Sequence, residues 1–307
     1  MNKPKLITVI GTTASGKSSL GIELADFYGG EIVSADSRQI YRKMDLGTGK
    51  ITPEEAARVP HHLIDILDAG EPFSMADFQG LAYKAIDSIA EKGKLPFLVG
   101  GTGLYSRSVV EGYSLSDVAP DEALREALLA KSREELIEIL AGLGITDIPT
   151  EYSHRRLIRM IEKKQGGSDG EGENSPRYEV LQLAMTYPRD ILYSRILERL
   201  DARINDGMID EIRELYESGV SAEFLERLGL EYRYTYRYIA GMYPSFEDYR
   251  AELYKEICHF AKRQMTWFRR DPRIHKITVS DSDKLPQVVE KACIIIDSCS
   301  RNDLLMR

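Results

Sequence analysis

Gly11-Thr12-Thr13-Ala14-Ser15-Gly16-Lys17-Ser18 separates two regular segments. Before it, Leu6-Ile7-Thr8-Val9-Ile10 is an apolar run of buried-strand length. After it, Ser19-Leu20-Gly21-Ile22-Glu23-Leu24-Ala25 carries apolar residues at helical spacing. Strand, glycine loop and helix in that order are the setting a P-loop requires. Gly11 and Gly16 let backbone N–H groups turn inward, the helix start adds its positive dipole end, and Lys17 adds a full charge. The stretch from Gly11 through Thr12, Thr13, Ala14, Ser15 and Gly16 to Ser18 is thus a phosphate-binding, nucleotide-type (ATP-binding) loop, with Ser18 placed to ligate Mg²⁺. The expected fold is α/β: a P-loop NTPase-like parallel sheet flanked by helices, with a small helical insertion and a helical C-terminal part.

The chain has 307 residues, 43% of them hydrophobic, enough for a full core. Met1-Asn2-Lys3-Pro4-Lys5 leads into the first strand without an apolar signal region, and no apolar run is long enough to span a membrane, so a cytoplasmic location is expected. Cys258, Cys293 and Cys299 are odd in number and form no CxxC pair, which supports neither a disulfide framework nor zinc. The net charge of -8 argues against a nucleic-acid partner, but basic residues cluster locally. One group is His154, Arg155, Arg156, Arg159, Lys163 and Lys164; a second is Arg227, Arg233 and Arg237; a third is Lys262, Arg263, Arg269, Arg270 and Arg273.

Glu31-Ile32-Val33-Ser34-Ala35 reads as a second strand ending at Asp36. At the carboxyl end of a parallel strand, Asp36 faces the ligand crevice as a base or magnesium ligand, or it caps a turn through its side chain. Residues 37–50 read as a ligand-facing loop, and Pro60 to Ile66 as a short strand or extended piece. A helix from Ser74 to about Lys92 opens with a capping box of Ser74 and Asp77. Lys94 to Val99 is a buried strand that ends in Gly100-Gly101-Thr102 rather than in the acidic residue common in P-loop ATPases, leaving room for a bulky ligand against bare backbone. Two short amphipathic helices (119–144) and a basic one (Ser153 to Lys164) form the insertion, followed by a mobile loop from Gly166 to Ser175. Tyr178 to Met185 returns to the sheet. The expected division is a first core part at 1–118, the insertion at 119–177, and the rest of the core with its helical part at 178–307. In Tyr232-Arg233-Tyr234-Thr235-Tyr236-Arg237-Tyr238, tyrosine faces and guanidinium planes either stack on unpaired bases or pack within a helix bundle.

The ordered set of segments Gly11–Ser18, Ser34–Tyr41, Met44–Thr48, His61–Asp65, Val99–Tyr105 and Ala261–Trp267 resembles the tRNA dimethylallyltransferase family, also called tRNA isopentenyltransferases. The resemblance implies transfer of a dimethylallyl group from its diphosphate to N6 of the adenosine beside the anticodon (tRNA position 37), with Mg²⁺ as cofactor and the tRNA anticodon stem-loop as partner of a monomer. It implies that Asp36 is the general base, that Thr13 lies near the bridging oxygen, and that Lys17 stabilises the leaving diphosphate. Arg227 or Arg233 is implied as a further diphosphate contact. Asp36, Ser37, Gln39, Tyr41, Thr102, Arg155, Arg156, Arg159, Lys262, Arg263 and Gln264 are implied to face tRNA. The chain departs from the family's pattern in carrying Glu231 where glycine is expected before Tyr232-Arg233, and its insertion is shorter than expected. Rival readings on the same loop are transfer to free AMP, a metabolite kinase using ATP, and an RNA-binding module with an inactive loop.

Overall fold

Short apolar runs alternating with amphipathic segments build a parallel sheet covered by helices. The computed structural model describes residues 3–115, 118, 121–167, 173–280 and 282–305. In chain order the elements are β1 (Lys5–Gly11), α1 (Lys17–Phe27), β2 (Glu31–Ser34), α2 (Pro53–Arg58), β3 (His61–His62), α3 (Met75–Glu91), β4 (Pro96–Gly100), α4 (Gly103–Val110), α5 (Glu122–Leu129), α6 (Arg133–Gly142) and α7 (His154–Gln165). There follow β5 (Glu179–Thr186), α8 (Arg189–Asn205), α9 (Met208–Glu217), α10 (Ala222–Leu228), α11 (Leu230–Ile239), α12 (Phe246–Arg269), β6 (Ile274–Thr278) and α13 (Leu285–Leu305). The chain divides into two compact units, Glu111–Pro176 and the remainder on either side of it. Of the loop expected at Gly166 to Ser175, residues 168–172 lie outside the described residues.

The larger unit carries six strands in the order β3-β2-β4-β1-β5-β6, every neighbouring pair parallel. β1 is central, between β4 and β5, so the loop after it opens at the carboxyl edge of the sheet, where open α/β sheets bind ligands. One sheet face buries Leu20, Leu24, Phe97 and Leu183 with Val288 and Ala292 of α13. The other buries Val33, Leu98, Phe78, Ile86 and Val109. Gly21 lets α1 lie close to β4, since a β-carbon there would stand 2.8 Å from Val99 Cγ2. The Ser74–Asp77 capping box starts α3 as expected, each side chain meeting the other residue's backbone N–H. The piece from Pro60 to Ile66 pairs with the sheet only at His61–His62. Beyond it, Leu63 (φ 63) and Asp65 (φ 55) turn the backbone, and Lys50 Nζ donates to Asp65 Oδ1 at 2.6 Å.

The helices α8 to α12 enclose a second core that includes Leu192, Ile212, Tyr232, Tyr249, Leu253 and Ala261. The tyrosine-rich run is α11, and it packs rather than stacks on bases: Tyr232, Tyr234 and Tyr236 are buried, while Tyr238 lies parallel to Tyr249 with centroids 4.7 Å apart. Its neighbours α9, α10 and α12 cover more than one face, which leaves little room for an outward-facing ring stack.

The smaller unit joins α5, α6 and α7 around Leu128, Leu136, Leu140, Leu157 and Ile161. Its organising polar group is the buried Glu162 carboxylate, which accepts from the Asp121 N–H (3.1 Å), from Arg125 Nε (2.7 Å) and from Arg159 Nη1 (3.3 Å).

At the amino end of β2, Glu31 is buried and accepts from Lys94 Nζ (2.8 Å), His62 Nε2 (2.8 Å) and Lys92 Nζ (3.4 Å). The Lys94 hydrogen bond first, then those from His62 and Lys92, hold its carboxyl down to about 2 against the opposing effect of burial. A carboxyl lowered from 4.5 stabilises the fold above pH 4.5, and that contribution fades as pH falls toward 2. Glu31→Gln is expected to cost about 2 kcal/mol at pH 7, the half-exposed lysines limiting the effect. Urea unfolding should show the gap narrowing from pH 4.5 to pH 3; a gap independent of pH would exclude the ion pairs as its source.

Candidate active site

The loop from Gly11 to Ser18 needs left-handed backbone at Ala14 (φ 58) and at Gly16 (φ 82), which caps α1. Neighbouring helices brace this conformation. Arg195 Nε donates to the Ala14 carbonyl (3.0 Å), the Tyr187 hydroxyl to the Ser15 carbonyl (3.0 Å), and Arg199 Nη1 to Thr13 Oγ1 (2.9 Å). Gln264 of α12 accepts the Thr13 N–H at 2.9 Å and donates to the Gly101 carbonyl at 3.0 Å, tying the loop to the end of β4. The first turn of α1 has no side-chain cap and no acidic residue, so its free N–H groups and dipole favour an anion.

Cations crowd this loop. Lys17, Arg195, Arg199, Arg203 and Arg38 line one cavity of about 1400 Å³, with Arg233 and Arg263 also on its wall. Burial, then the charge of Arg199, pushes the Lys17 ammonium down to about 8, although Asp36 opposes the shift. Burial, then Arg203, lowers Arg199 to about 9, and burial also lowers Arg203. A guanidinium keeps its proton under such pressure, so the shortage is one of countercharge. Arg203 Nη2 is buried without a hydrogen-bond partner. Glu231, 4% exposed, accepts from Arg38 Nη1 (2.8 Å) and Arg203 Nη1 (3.2 Å) and is the buried anion of the group. The arginines reach their places past bare backbone: a β-carbon on Gly49 would fall 2.5 Å from Arg199 Nη2 and closer still to Arg203.

The facing wall is the junction of β2 and β4. Asp36 Oδ1 accepts the Arg38 N–H at 3.0 Å, so the turn-capping role exists, and the same carboxylate lines the cavity with Lys17. Thr102 Oγ1 accepts the Ser37 N–H at 3.2 Å. Of the paired glycines, Gly101 lines the cavity, while Gly100 packs against Ala35. A β-carbon on Gly100 would lie 2.2 Å from the Ala35 carbonyl oxygen, and one on Gly101 would lie 3.2 Å from Lys17 Cε and Gln264 Nε2. Their bareness lets the ends of β2 and β4 meet and admits Lys17.

Of the residues expected from sequence, Thr13, Ala14, Gly16, Lys17, Ser18, Asp36, Ser37, Gln39, Thr102, Arg233, Arg263 and Gln264 line this one cavity. Others stand elsewhere or are engaged. Arg227 is exposed at the end of α10 and pairs with Glu223 (2.7 Å), away from the cavity wall. Tyr41 is buried, donates to the Glu71 carbonyl (3.1 Å) and packs edge-on against Phe224, so it offers no ring to a base. Gln39 is held by Ser34 Oγ and the Gly49 carbonyl, both at 3.0 Å. Lys262 is exposed and does not line the cavity. In the smaller unit, Arg155 and Arg156 are exposed, whereas Arg159 turns inward to Glu162 and the Val118 carbonyl. Sequence reasoning missed Arg38, Arg195, Arg199 and Arg203. The last three recur every four residues along α8, a spacing that puts them on one face.

Residues 39–271 match a family model described as IPP transferase, and residues 4–65 match one described as isopentenyl transferase. The chain is 44% identical over 277 residues to tRNA dimethylallyltransferase 2 of Treponema denticola, covering 88% of this chain and 93% of that protein. It is 40% identical over 301 residues to the tRNA dimethylallyltransferase of Streptococcus agalactiae, covering 97% of this chain and 100% of that protein. The solved full-length tRNA isopentenylpyrophosphate transferase of Bacillus halodurans aligns with a TM-score of 0.75 at 36% identity, covering 99% of each chain. A solved eukaryotic dimethylallyltransferase acting on tRNA has the same fold, with a TM-score of 0.82 at 23% identity over 98% of this chain and 80% of that one.

The two candidate arginine sets make opposite predictions for inorganic diphosphate. Arg199→Ala is expected to weaken its binding by about 10-fold or more, since a charge-assisted contact of about 1.5–3 kcal/mol is removed. Arg227→Ala should bind as the parent does. Titration calorimetry compares them, and equal losses would contradict the assignment of the anion site to α8.

Proposed function

The chain belongs to the IPP transferase family of tRNA dimethylallyltransferases, and on that premise we propose that it transfers the dimethylallyl group of dimethylallyl diphosphate to N6 of the adenosine 3′-adjacent to the anticodon, releasing diphosphate. The observation that carries this reading is the excess of half-buried and buried cations facing a single cavity, opposite the Asp36 carboxylate. A diphosphate supplies the missing countercharge on the first turn of α1, Lys17, Arg199 and Arg203. As the bond from the allylic carbon to the diphosphate oxygen breaks, negative charge grows on that oxygen beside donors already in place, and no reorganisation is needed. The N6 nitrogen forms the new bond to that carbon, and its proton passes to Asp36.

Ser18 is half-buried on the cavity wall in the first turn of α1. Mg²⁺ takes one or two protein oxygens with phosphate oxygens and waters, so a single hydroxyl there suits it, and among the described residues no group of three or more His, Cys, Asp or Glu side chains competes for it. Bound there with the donor, the ion neutralises charge on the diphosphate. Reaching the cavity takes the adenine out of the anticodon stack at a cost of a few kcal/mol. The exposed Arg155, Arg156, Lys262 and Arg263 provide cations for the tRNA phosphates. Among the described residues no helix is long and apolar enough to cross a membrane.

Labelled dimethylallyl diphosphate, offered with Mg²⁺ to unmodified tRNA and separately to AMP, tests the proposal. Label should enter tRNA, and Asp36→Ala should slow its entry by about 100-fold or more. Label in AMP alone would overturn the partner, and undiminished transfer by the variant would remove Asp36 as the base.

A further inference from the structure

Glu231 is the residue that departs from the family's pattern, and its surroundings assign it work. It stands in the first turn of α11, 4% exposed, with Arg38 on one carboxylate oxygen (2.8 Å) and Arg203 on the other (3.2 Å). Arg38 is also the neighbour of Asp36: its N–H donates to Asp36 Oδ1 at 3.0 Å, and its guanidinium Nε stands 3.6 Å from the same oxygen. One guanidinium therefore lies between two carboxylates and makes its short contact with Glu231 alone. The route is sterically fitted, because a β-carbon on Gly229 would fall 2.9 Å from both Cδ and Nη1 of Arg38. Burial works against the Arg38 charge, and Glu231, then Asp36, outweigh it.

We propose that Glu231 is a positioning residue that acts on Asp36 through Arg38, drawing the guanidinium away from a close ion pair with the base. A carboxylate tied into a bidentate pair with arginine has both oxygens occupied and is a poorer proton acceptor. With Glu231 in place, Arg38 steers Asp36 through its N–H while its guanidinium is spent elsewhere. The other charges around Asp36 come from Lys17 of α1 and from Arg199 and Arg203 of α8, with the Tyr105 hydroxyl of α4. None of these replaces Glu231 as a partner for Arg38. The inference rests on the proposed prenyl transfer with Asp36 as base.

Its signature is a split between kcat and KM. Glu231→Gln is expected to lower kcat for transfer to tRNA by about 10–100-fold, the scale of a lost orienting partner, with KM for dimethylallyl diphosphate unchanged or lowered, since Arg203 then has more charge to offer the diphosphate. Because two arginines lose a shared anion in that variant, a second one keeps every charge: Glu231→Asp draws the carboxylate back from Arg38 by one methylene and should lower kcat in the same direction, by less. In an Arg38→Ala background, followed by single turnover, Glu231→Gln should cost nothing further. Binding of inorganic diphosphate to each variant checks that the site is folded. Parent-like kcat in both Glu231→Gln and Glu231→Asp, a loss confined to KM, or full additivity with Arg38→Ala would overturn the role of Glu231. If Asp36→Ala still transfers at the parent rate, the underlying reading fails instead.

Discussion

Positive charge partly withdrawn from water without matching negative charge is the constraint on which this site depends. Lys17, Arg199 and Arg203 sit where burial and one another's fields disfavour their charges, and Arg203 Nη2 has no partner. Leaving a buried charge unpaired costs several kcal/mol, so the fold is held ready for an anion that completes it. Glu231 balances part of the excess and leaves the rest for a ligand. The loop that would carry that ligand is strained at Ala14, and Arg195 and Arg199 hold it in shape.

The sheet supplies the frame. β1 between β4 and β5 brings the loop, the Asp36 turn and the Gly100–Gly101 corner to one edge, and the missing β-carbons there let backbone meet backbone. α8 and α12 then approach from the second core. Gln264 reaches the Thr13 amide from a residue 251 positions along the chain, so the loop forms its final geometry only when the C-terminal helices have docked. Binding site and tertiary packing are therefore one structure, and changes in the α8–α12 core act on the loop.

Much of this was legible in the sequence because the signals are local. The glycine loop between strand and helix, the Ser74–Asp77 box and the basic α7 are each contained in a few residues. Asp36 was found from its place at a strand end. The arginines of α8 were present as a four-residue repeat, but the same repeat marks a solvated face, and only the docking of α8 against the loop distinguishes the two. Tyr41 is covered rather than facing a base for the converse reason, and of the two readings open for the α11 tyrosines packing holds: an aromatic ring in a polar run reads as exposed until the helices that cover it are known. Arg227 and Arg233 lie six residues apart across a helix break at Gly229, and which of them faces the cavity is set by the turn between α10 and α11.

On the proposed reading, the loop and its arginines hold a prenyl diphosphate and not a nucleoside triphosphate. Calorimetric titration with dimethylallyl diphosphate, in the presence and absence of excess ATP, tests it most directly. Saturation of one site by the prenyl diphosphate and little displacement by ATP are expected. Tight ATP binding that excludes the prenyl diphosphate, or no binding of the prenyl diphosphate at all, would contradict it.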